Sequence, residues 1–413
     1  IPEALTPGQY YLWAGADIND AENESNENNN SSNLIAINVV LGAQDVNDDD
    51  GSNTLEGSQF DDVFQGNGGD DTIDGGDESL ADRAVYTGER SDFAISVGAD
   101  GTVYVEDLNL ADGDEGSDQL SGIEEIAFAD QTVLTADLAA LSFAETGTLT
   151  LSHVAQTVTL SHSYTNPVVV AFVTTENGTA PVNVRVSNIS GDQLTLFLQE
   201  PNYLDGVHYN ESVSYLVVEA GTWVLPDGTL LEAGVLDSAQ LSSAGFETVG
   251  FSAGFDATPV ILSQVQSFGG VDFVTTRQRD ATSSGFELTM QEEELLNGGS
   301  HAVESLGWVA IEAGSGSVGG FSWEAGQANG VTDADVSVTL DLAADGVVAM
   351  LSSFGGLDPA WARGSGISGT TFEVYAQEDT SKDAEIGHGA ETVDYFAFDG
   401  FGVVYGYDAS LFV

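Results

Sequence analysis

Through most of the 413 residues, apolar side chains alternate with polar ones in short runs bounded by Gly, Asp, Asn and Ser. Period two sets one face of a strand against a core. Segments 8–14, 34–40, 93–97 and 102–106, and the Val/Thr-rich runs after them, therefore read as strands. No segment holds a long amphipathic helical pattern, and the predicted fold class is all-β. Three longer apolar strands, 167–172, 259–262 and 346–351, each follow an opening strand, Val158-Thr159-Leu160, Val249-Gly250-Phe251 or Val338-Thr339-Leu340. About six strands in roughly ninety residues predict a compact antiparallel sandwich, present three times.

Polar residues mark the same repeat. Arg185, Gln199-Glu200, His208, Glu211, Tyr215 and Glu219 recur as Arg277, Gln291-Glu292, His301, Glu304, Trp308 and Glu312. They recur again as Arg363, Gln377-Glu378, His388, Glu391, Tyr395 and Asp399. Arg to Gln is fourteen residues each time, His to Glu three, Glu to aromatic four and aromatic to acid four; only the Gln-to-His loop varies, at nine, ten and eleven. The chain has five His and seven Lys plus Arg, so three of each in register mark a triplicated domain. Alternation puts Glu211, Val213, Tyr215, Val217 and Glu219 on one face of the last strand, with Leu216 and Val218 on the other. Leu216, Val218, Val309, Ile311, Phe396 and Phe398 are assigned to the core, leaving an acid–aromatic–acid stripe on the face away from it.

That stripe has two readings. In one, the ring stacks on a sugar while the carboxylates bond its hydroxyls. In the other, the Arg of one copy meets the Glu of the next in a charge-assisted contact between domains. With so few cations, each Arg is expected to pair with a carboxylate. The three His follow loops and are placed on the rim, either bonded to Glu or backbone or touching a ligand.

Residues 48–82 carry a nine-residue period with Gly at the turns, Asp after them and an apolar Leu55, Phe64 or Ile73 pointing inward. Gly permits left-handed turns, and Asp offers the hard oxygen that Ca²⁺ prefers. The candidate metal residues are Asp48, Asp50, Asn53, Gly57, Gln59, Asp62, Gly66, Gly68, Asp71, Gly75, Asp77 and Asp82. The pattern G-G-x-G-x-D-x-U-x resembles the calcium-binding repeats of RTX exoproteins, which form a parallel β-roll. That resemblance implies Ca²⁺ between turns two repeats apart, with Asn53 facing Asp71 and Asp62 facing a partner in the next turn. Leu80 holds the expected position of that partner, and Asp82 comes two residues late. Short strands in 83–137 resemble the β-cap that follows such rolls.

Formal charge is −60, which excludes nucleic acid and anionic membrane as electrostatic partners and suits divalent cations or high salt. Hydrophobic content of 42% excludes wholesale disorder, and with no Cys there is no disulfide framework. No apolar run is long enough to span a bilayer. The chain opens on Ile without a charged leader and reads as a mature or processed fragment.

Residues 1–42 place two strands around an Asn/Glu-rich loop, and their G-x-Y…A-D…E-S-N-E-x-N-N phrase resembles the end of a cell-adhesion-related CARDB sandwich. Two strands cannot bury a sandwich core, so either upstream residues or a second subunit adding a strand would complete it. In the second large repeat, Phe251…Phe255, Pro259-Val260, Arg277…Gly285-Phe286 and Trp308…Glu312 resemble the H-type lectin domain. That family is a six-stranded sandwich that trimerises and binds galactose-type sugars, and the resemblance implies that the three copies pack as an internal pseudo-trimer. The C-terminal Asp408-Ala409-Ser410-Leu411-Phe412-Val413 resembles a type I secretion signal.

The expected organisation is a partial CARDB-like sandwich (1–44), a calcium roll (45–85), a cap (86–138) and sandwiches at 139–238, 239–331 and 332–413. The expected function is that of a secreted, calcium-dependent adhesin or lectin-like protein binding glycans or another cell-surface ligand, with no catalytic residues and no membrane insertion. A structural subunit of an extracellular filament, assembling through residues 1–42, is the alternative. An accessory tail of a large secreted hydrolase is the third.

Overall fold

The alternating pattern becomes strand nearly everywhere. The computed structural model describes residues 8–12, 35–39, 45–76, 81–97, 101–111, 113–138, 141–318, 321–356 and 358–409. Contacts divide the chain into two units, residues 1–139 with 411–413, and residues 140–410.

In the first unit, β1 (Gly8–Leu12) and β2 (Ile35–Val39) pair antiparallel. The polar loop between them and the terminal 411–413 lie outside the described residues. Five three-residue strands follow: β3 (Asp45–Asn47), β4 (Thr54–Glu56), β5 (Val63–Gln65), β6 (Thr72–Asp74) and β7 (Arg83–Val85). β3, β5 and β7 pair in parallel in one sheet, and β4 pairs in parallel with β6 in the other. Such alternation is a chain wound as a flat coil. The sheet of β4 and β6 is extended by β8 (Phe93–Val97), β9 (Val103–Asp107) and β10 (Ser117–Ser121). The other sheet gains β11 (Glu125–Ala127) and β12 (Thr132–Leu134). Leu55, Phe64, Ile73, Ala84, Leu120 and Ile126 fill a single core between the sheets. The Gly-rich period puts one apolar residue per turn there, worth about 1.5–3 kcal/mol for each large side chain buried.

In the second unit, repeat 1 comprises β13 (Leu141–Leu151), β14 (Gln156–Thr159), β15 (Pro167–Val173), β16 (Asn183–Ser190), β17 (Gln193–Gln199) and β18 (Glu211–Glu219). β15-β18-β13 and β14-β17-β16 are its two sheets. The short β19 (Gly221–Val224) leads into repeat 2: β20 (Leu230–Ser238), β21 (Glu247–Gly250), β22 (Val260–Val265), β23 (Val274–Thr282), β24 (Gly285–Glu292) and β25 (Glu304–Ile311). β26 (Gly314–Val318) leads into repeat 3: β27 (Phe321–Val331), β28 (Val336–Thr339), β29 (Gly346–Leu351), β30 (Ala360–Ser368), β31 (Thr371–Glu378) and β32 (Glu391–Asp399). β33 (Gly402–Asp408) is the last described strand. Each repeat is thus a six-stranded sandwich with the same pairings.

The strand that opens each repeat lies upstream of the one the sequence suggests. β20 pairs along its length with β25, and β27 with β32, so neither belongs to the repeat before it. Val158, Val249 and Val338 lie instead on the second strand of each repeat. The linking strands reveal how the unit closes. β19 pairs with β20 and β26 with β27, each across a short connection. β33 pairs with β13, whose sequence lies more than 250 residues away. The last strand therefore supplies to repeat 1 the hairpin partner that repeats 2 and 3 receive from the preceding chain.

The expected core face is corrected. Val213, Tyr215 and Val217 pack inside the sandwich of repeat 1 with Val184, Val186, Leu196 and Leu198. Leu216 and Val218 lie on the opposite face, in a core shared with Val260, Leu262, Val309, Ile311, Phe396 and Phe398 of the other repeats. Both faces of the last strand are buried.

Candidate functional site

The repeated polar residues meet at the junctions between repeats, in cyclic order. Arg185 Nη2 of repeat 1 lies 2.6 Å from Glu304 Oε1 of repeat 2. Arg277 Nη2 of repeat 2 is 2.7 Å from Glu391 Oε1 of repeat 3, and Arg363 Nη2 of repeat 3 is 2.9 Å from Glu211 Oε1 of repeat 1. All six side chains are almost wholly buried. A buried charge is tolerated only when its partner and its hydrogen bonds replace water. Each carboxylate has them: Glu211 accepts from the amides of Asn177 and Gly178 and from Thr175, and Glu304 from the amides of Gly269 and Gly270 and from Ser267. Each arginine also donates to a carbonyl of the receiving repeat, of Gly270, Ser353 or Gly178.

Behind each acid stands the histidine. His208 bridges Glu200 (Nδ1, 2.8 Å) and Glu211 (Nε2, 3.1 Å); His388 bridges Glu378 (3.1 Å) and Glu391 (3.0 Å). His301 differs: its Nδ1 lies 2.9 Å from the Ala302 carbonyl, while Glu292 and Glu304 are 3.8 and 3.9 Å away. The three imidazoles are buried, which corrects their expected place on the rim. Burial alone would raise the carboxyls of Glu211 and Glu391, but hydrogen bonds from His208 and His388 and from nearby donors hold both at about 2. Burial would lower His388, and its bonds to Glu391 and Glu378 raise it above its ordinary value.

The glutamines complete two junctions and not the third. Gln291 Oε1 accepts from Arg277 Nη1, and Gln377 Oε1 from Arg363 Nη1, both at 3.1 Å. Gln199 instead donates to the Val271 carbonyl, and Arg185 Nη1 has no hydrogen-bond partner. The junction of repeats 1 and 2 is therefore the least satisfied. Edge strands are closed in the same cyclic sense: the amides of Val169, Ile261 and Val347 donate to Gln266, Asp394 and Ser214 of the following repeat.

The aromatic stripe is not an open platform. Tyr215, Trp308 and Tyr395 are 7%, 6% and 6% exposed. Each ring lies across a glycine of the opening strand, where a Cβ on Gly147, Gly234 or Gly326 would come within 2.4–2.6 Å of it. Of the acids that end the stripe, Glu219 accepts from the amides of Thr165 and Asn166, Glu312 accepts from that of Leu230, and Asp399 is exposed.

Sequence reasoning missed a second glycine set. A Cβ on Gly178, Gly270 or Gly356 would meet His208, His301 or His388 at 3.0 Å or less. Each lies seven residues before the repeat's arginine, a spacing that was there to be read.

On the surface, two junctions open into clefts of about 360 and 390 Å³. One is lined by Glu176, Pro181, Tyr375, Gln377, Glu378 and Ile386, the other by Phe197, Gln199, Glu200, Asn202, Val271 and Asp272.

In the coiled unit, the acidic turns stack. Asp71 Oδ1 accepts from the Asn53 amide at 2.7 Å, and Asp82 Oδ1 from the Asp62 amide at 2.6 Å. Asp82 therefore takes the place that Leu80 leaves open. Gly57, Gly66 and Gly75 have no room for a Cβ, which would fall within 2.8 Å of Asp62, Asp71 or Asp82. Asp48 and Asp50 lie in the first turn; Gln59 and Gly68 sit at turn tips; Asp77 lies outside the described residues. Among the described residues, no three or more His, Asp or Glu side chains gather in a way that would hold a metal ion by themselves. An ion here would also need turn carbonyls. Asp71 Oδ2 is buried without a hydrogen-bond partner, over Gly66. Burial raises the Asp71 carboxyl, with the charges of Asp48, Asp49 and Asp70 adding to it against the hydrogen bond from Asn53. An orphaned carboxylate oxygen in a glycine cradle, among like charges, fits a calcium ion.

Among the described residues, no helix is long and apolar enough to cross a membrane. No family model matches the chain, and no solved structure matches it. In an alignment over 255 residues, which covers 59% of the chain, it is 30% identical to halomucin of Haloquadratum walsbyi (strain DSM 16790 / HBSQ001). The alignment covers 3% of halomucin's length.

Proposed function

We propose that the chain is an extracellular adhesive module without catalytic activity, in which a calcium-loaded coil accompanies a rigid ring of three sandwiches. The observation that carries this reading is the burial of the motif. Each repeated Arg is paired across a junction with a Glu of the next repeat, and the His stands buried behind that Glu, which supports a motif that serves rigidity and not turnover. The similarity to halomucin and the charge of −60 support an extracellular place among cations. Asn53, Asp62, Asp71 and Asp82, with the carbonyls of their turns, would hold Ca²⁺, which supplies the positive charge that stacked carboxylates need. Glycan or other cell-surface contact falls to the junction clefts, since the buried rings are out of reach.

A glycan array, read with Ca²⁺ and with chelator, tests this. Binding should fall on chelation and in Tyr375→Ala and Phe197→Ala, which line the clefts. Binding unchanged in both variants would place recognition elsewhere.

The reading as a building block of a larger surface assembly draws support from the match covering so small a share of halomucin. Calcium-dependent polymerisation, abolished by removing residues 1–42, would favour it.

A further inference from the structure

The coil does not end where its nine-residue period ends. After β7 the chain leaves to form β8 and β9, then returns with Gly113-Asp114-Glu115-Gly116-Ser117-Asp118-Gln119-Leu120-Ser121-Gly122. β10 pairs in parallel with β6, Leu120 opposite Ile73. That register sets the returning segment against Gly66-Asn67-Gly68-Gly69-Asp70-Asp71-Thr72-Ile73-Asp74-Gly75, with Gly116 over Gly69 and Asp118 over Asp71.

The bonds between these two turns copy those one step earlier. Asn53 N donates to Asp71 Oδ1 at 2.7 Å, and Asp71 N to Asp118 Oδ1 at 2.9 Å. Thr72 N donates to the Asn53 carbonyl at 2.9 Å, and Gln119 N to the Asp71 carbonyl at 2.8 Å. Gly57 N donates to the Asp74 carbonyl at 2.7 Å, and Gly75 N to the Ser121 carbonyl at 2.9 Å. Gly69 and Gly116 share a positive φ, 104° and 79°, and a Cβ on Gly116 would strike the Gly69 carbonyl. Leu120 occupies the core as Ile73 does.

We propose that residues 113–122 are a further turn of the coil, displaced in sequence by an insertion, and that Asp118 and Asp71 are the carboxylate ligands of a Ca²⁺ site between the two turns. The inference rests on the calcium reading of the coil given above. Asp71 belongs to both seams: its amide donates to Asp118, while its carboxylate accepts from the Asn53 amide through Oδ1 and keeps Oδ2 buried and unpartnered. Where the Asn53–Asp71 step offers one carboxylate, the Asp71–Asp118 step offers two, and a divalent cation gains from the second charge. Tyr86 Oη donates to Asp118 Oδ2 at 2.8 Å and fixes its direction. The Asp114 carbonyl lies 3.0 Å from a Cβ built on Gly68, so a main-chain oxygen stands at the same seam.

Tyr86 makes the site observable, because a tyrosine beside a bound lanthanide sensitises its emission. Full-length protein is titrated with Tb³⁺ under tyrosine excitation, then with Ca²⁺ as competitor, and calcium stoichiometry is measured by calorimetry. Asp118→Asn should bind one calcium fewer per chain and lose the Tyr86-dependent emission. Tyr86→Phe should lose that emission and keep the stoichiometry, which separates the site from a folding defect. Should wild type bind calcium while Asp118→Asn binds as many ions with the same affinity, this inference fails alone. Should wild type bind none, the calcium reading of the coil fails with it.

Discussion

Arg277 and Glu391 illustrate what the buried motif costs and returns. Removing one member of a buried pair strands the other charge, at about 3–5 kcal/mol. Arg277→Met should lower stability by about that much in chemical denaturation, and Arg277→Met with Glu391→Leu should recover most of it. A double variant that loses the sum of the two single losses would mean that the pair is not coupled. Trp308→Ala should cost about 3–5 kcal/mol, as a buried aromatic does. Had the ring been a sugar platform, that substitution would instead leave stability unchanged.

The histidines give a pH test at the same scale. The pKa of His388 in the folded chain is raised, so its contribution is present below its ordinary value near 6.5 and is lost as pH rises through the raised one. Glu211 and Glu391 are depressed to about 2 from 4.5, so theirs is present above 4.5 and is lost as pH falls toward 2. The destabilisation caused by His388→Gln, followed through denaturation midpoints, should therefore be full near pH 5–6 and shrink in alkali. A difference that grows with pH would reverse the assignment.

At the scale of elements, the sequence disclosed strands, repeats and turn spacing, and it misled on faces. In β18, Val213, Tyr215 and Val217 alternate with Ser214, Leu216 and Val218, and all six are buried. Alternation separates a core face from a wet one; where both faces are dry it has nothing to report. The Arg–Glu contact was legible because cations are so scarce that each needs an acid, yet the order of partners needed the fold. The pairing of β33 with β13 left no trace in local pattern, since register between strands so far apart is set by tertiary packing. The returning turn at 113–122 escaped because an insertion breaks the period, although its Gly and Asp spacing survives. Gln199, which turns from Arg185 to the Val271 carbonyl, makes the junction of repeats 1 and 2 the first to open. Hydrogen exchange should show lower protection for the Val274 and Val184 amides than for their counterparts in repeat 3.

At the largest scale, the three sandwiches of the second unit close on themselves. Buried pairs run from each repeat to the next and back to the first, and the last strand completes the first repeat's sheet. So acidic a chain repels itself, and added salt should raise its unfolding midpoint by screening that repulsion. Scattering in solution should show a closed particle for the second unit instead of a string of beads.

The closure itself can be locked. The chain has no cysteine, and Ser142 lies opposite Tyr405 in the register of β13 with β33. In Ser142→Cys with Tyr405→Cys, mild oxidation should yield an intramolecular disulfide in the monomer. Free thiols, or bridges formed only between chains, would contradict the ring.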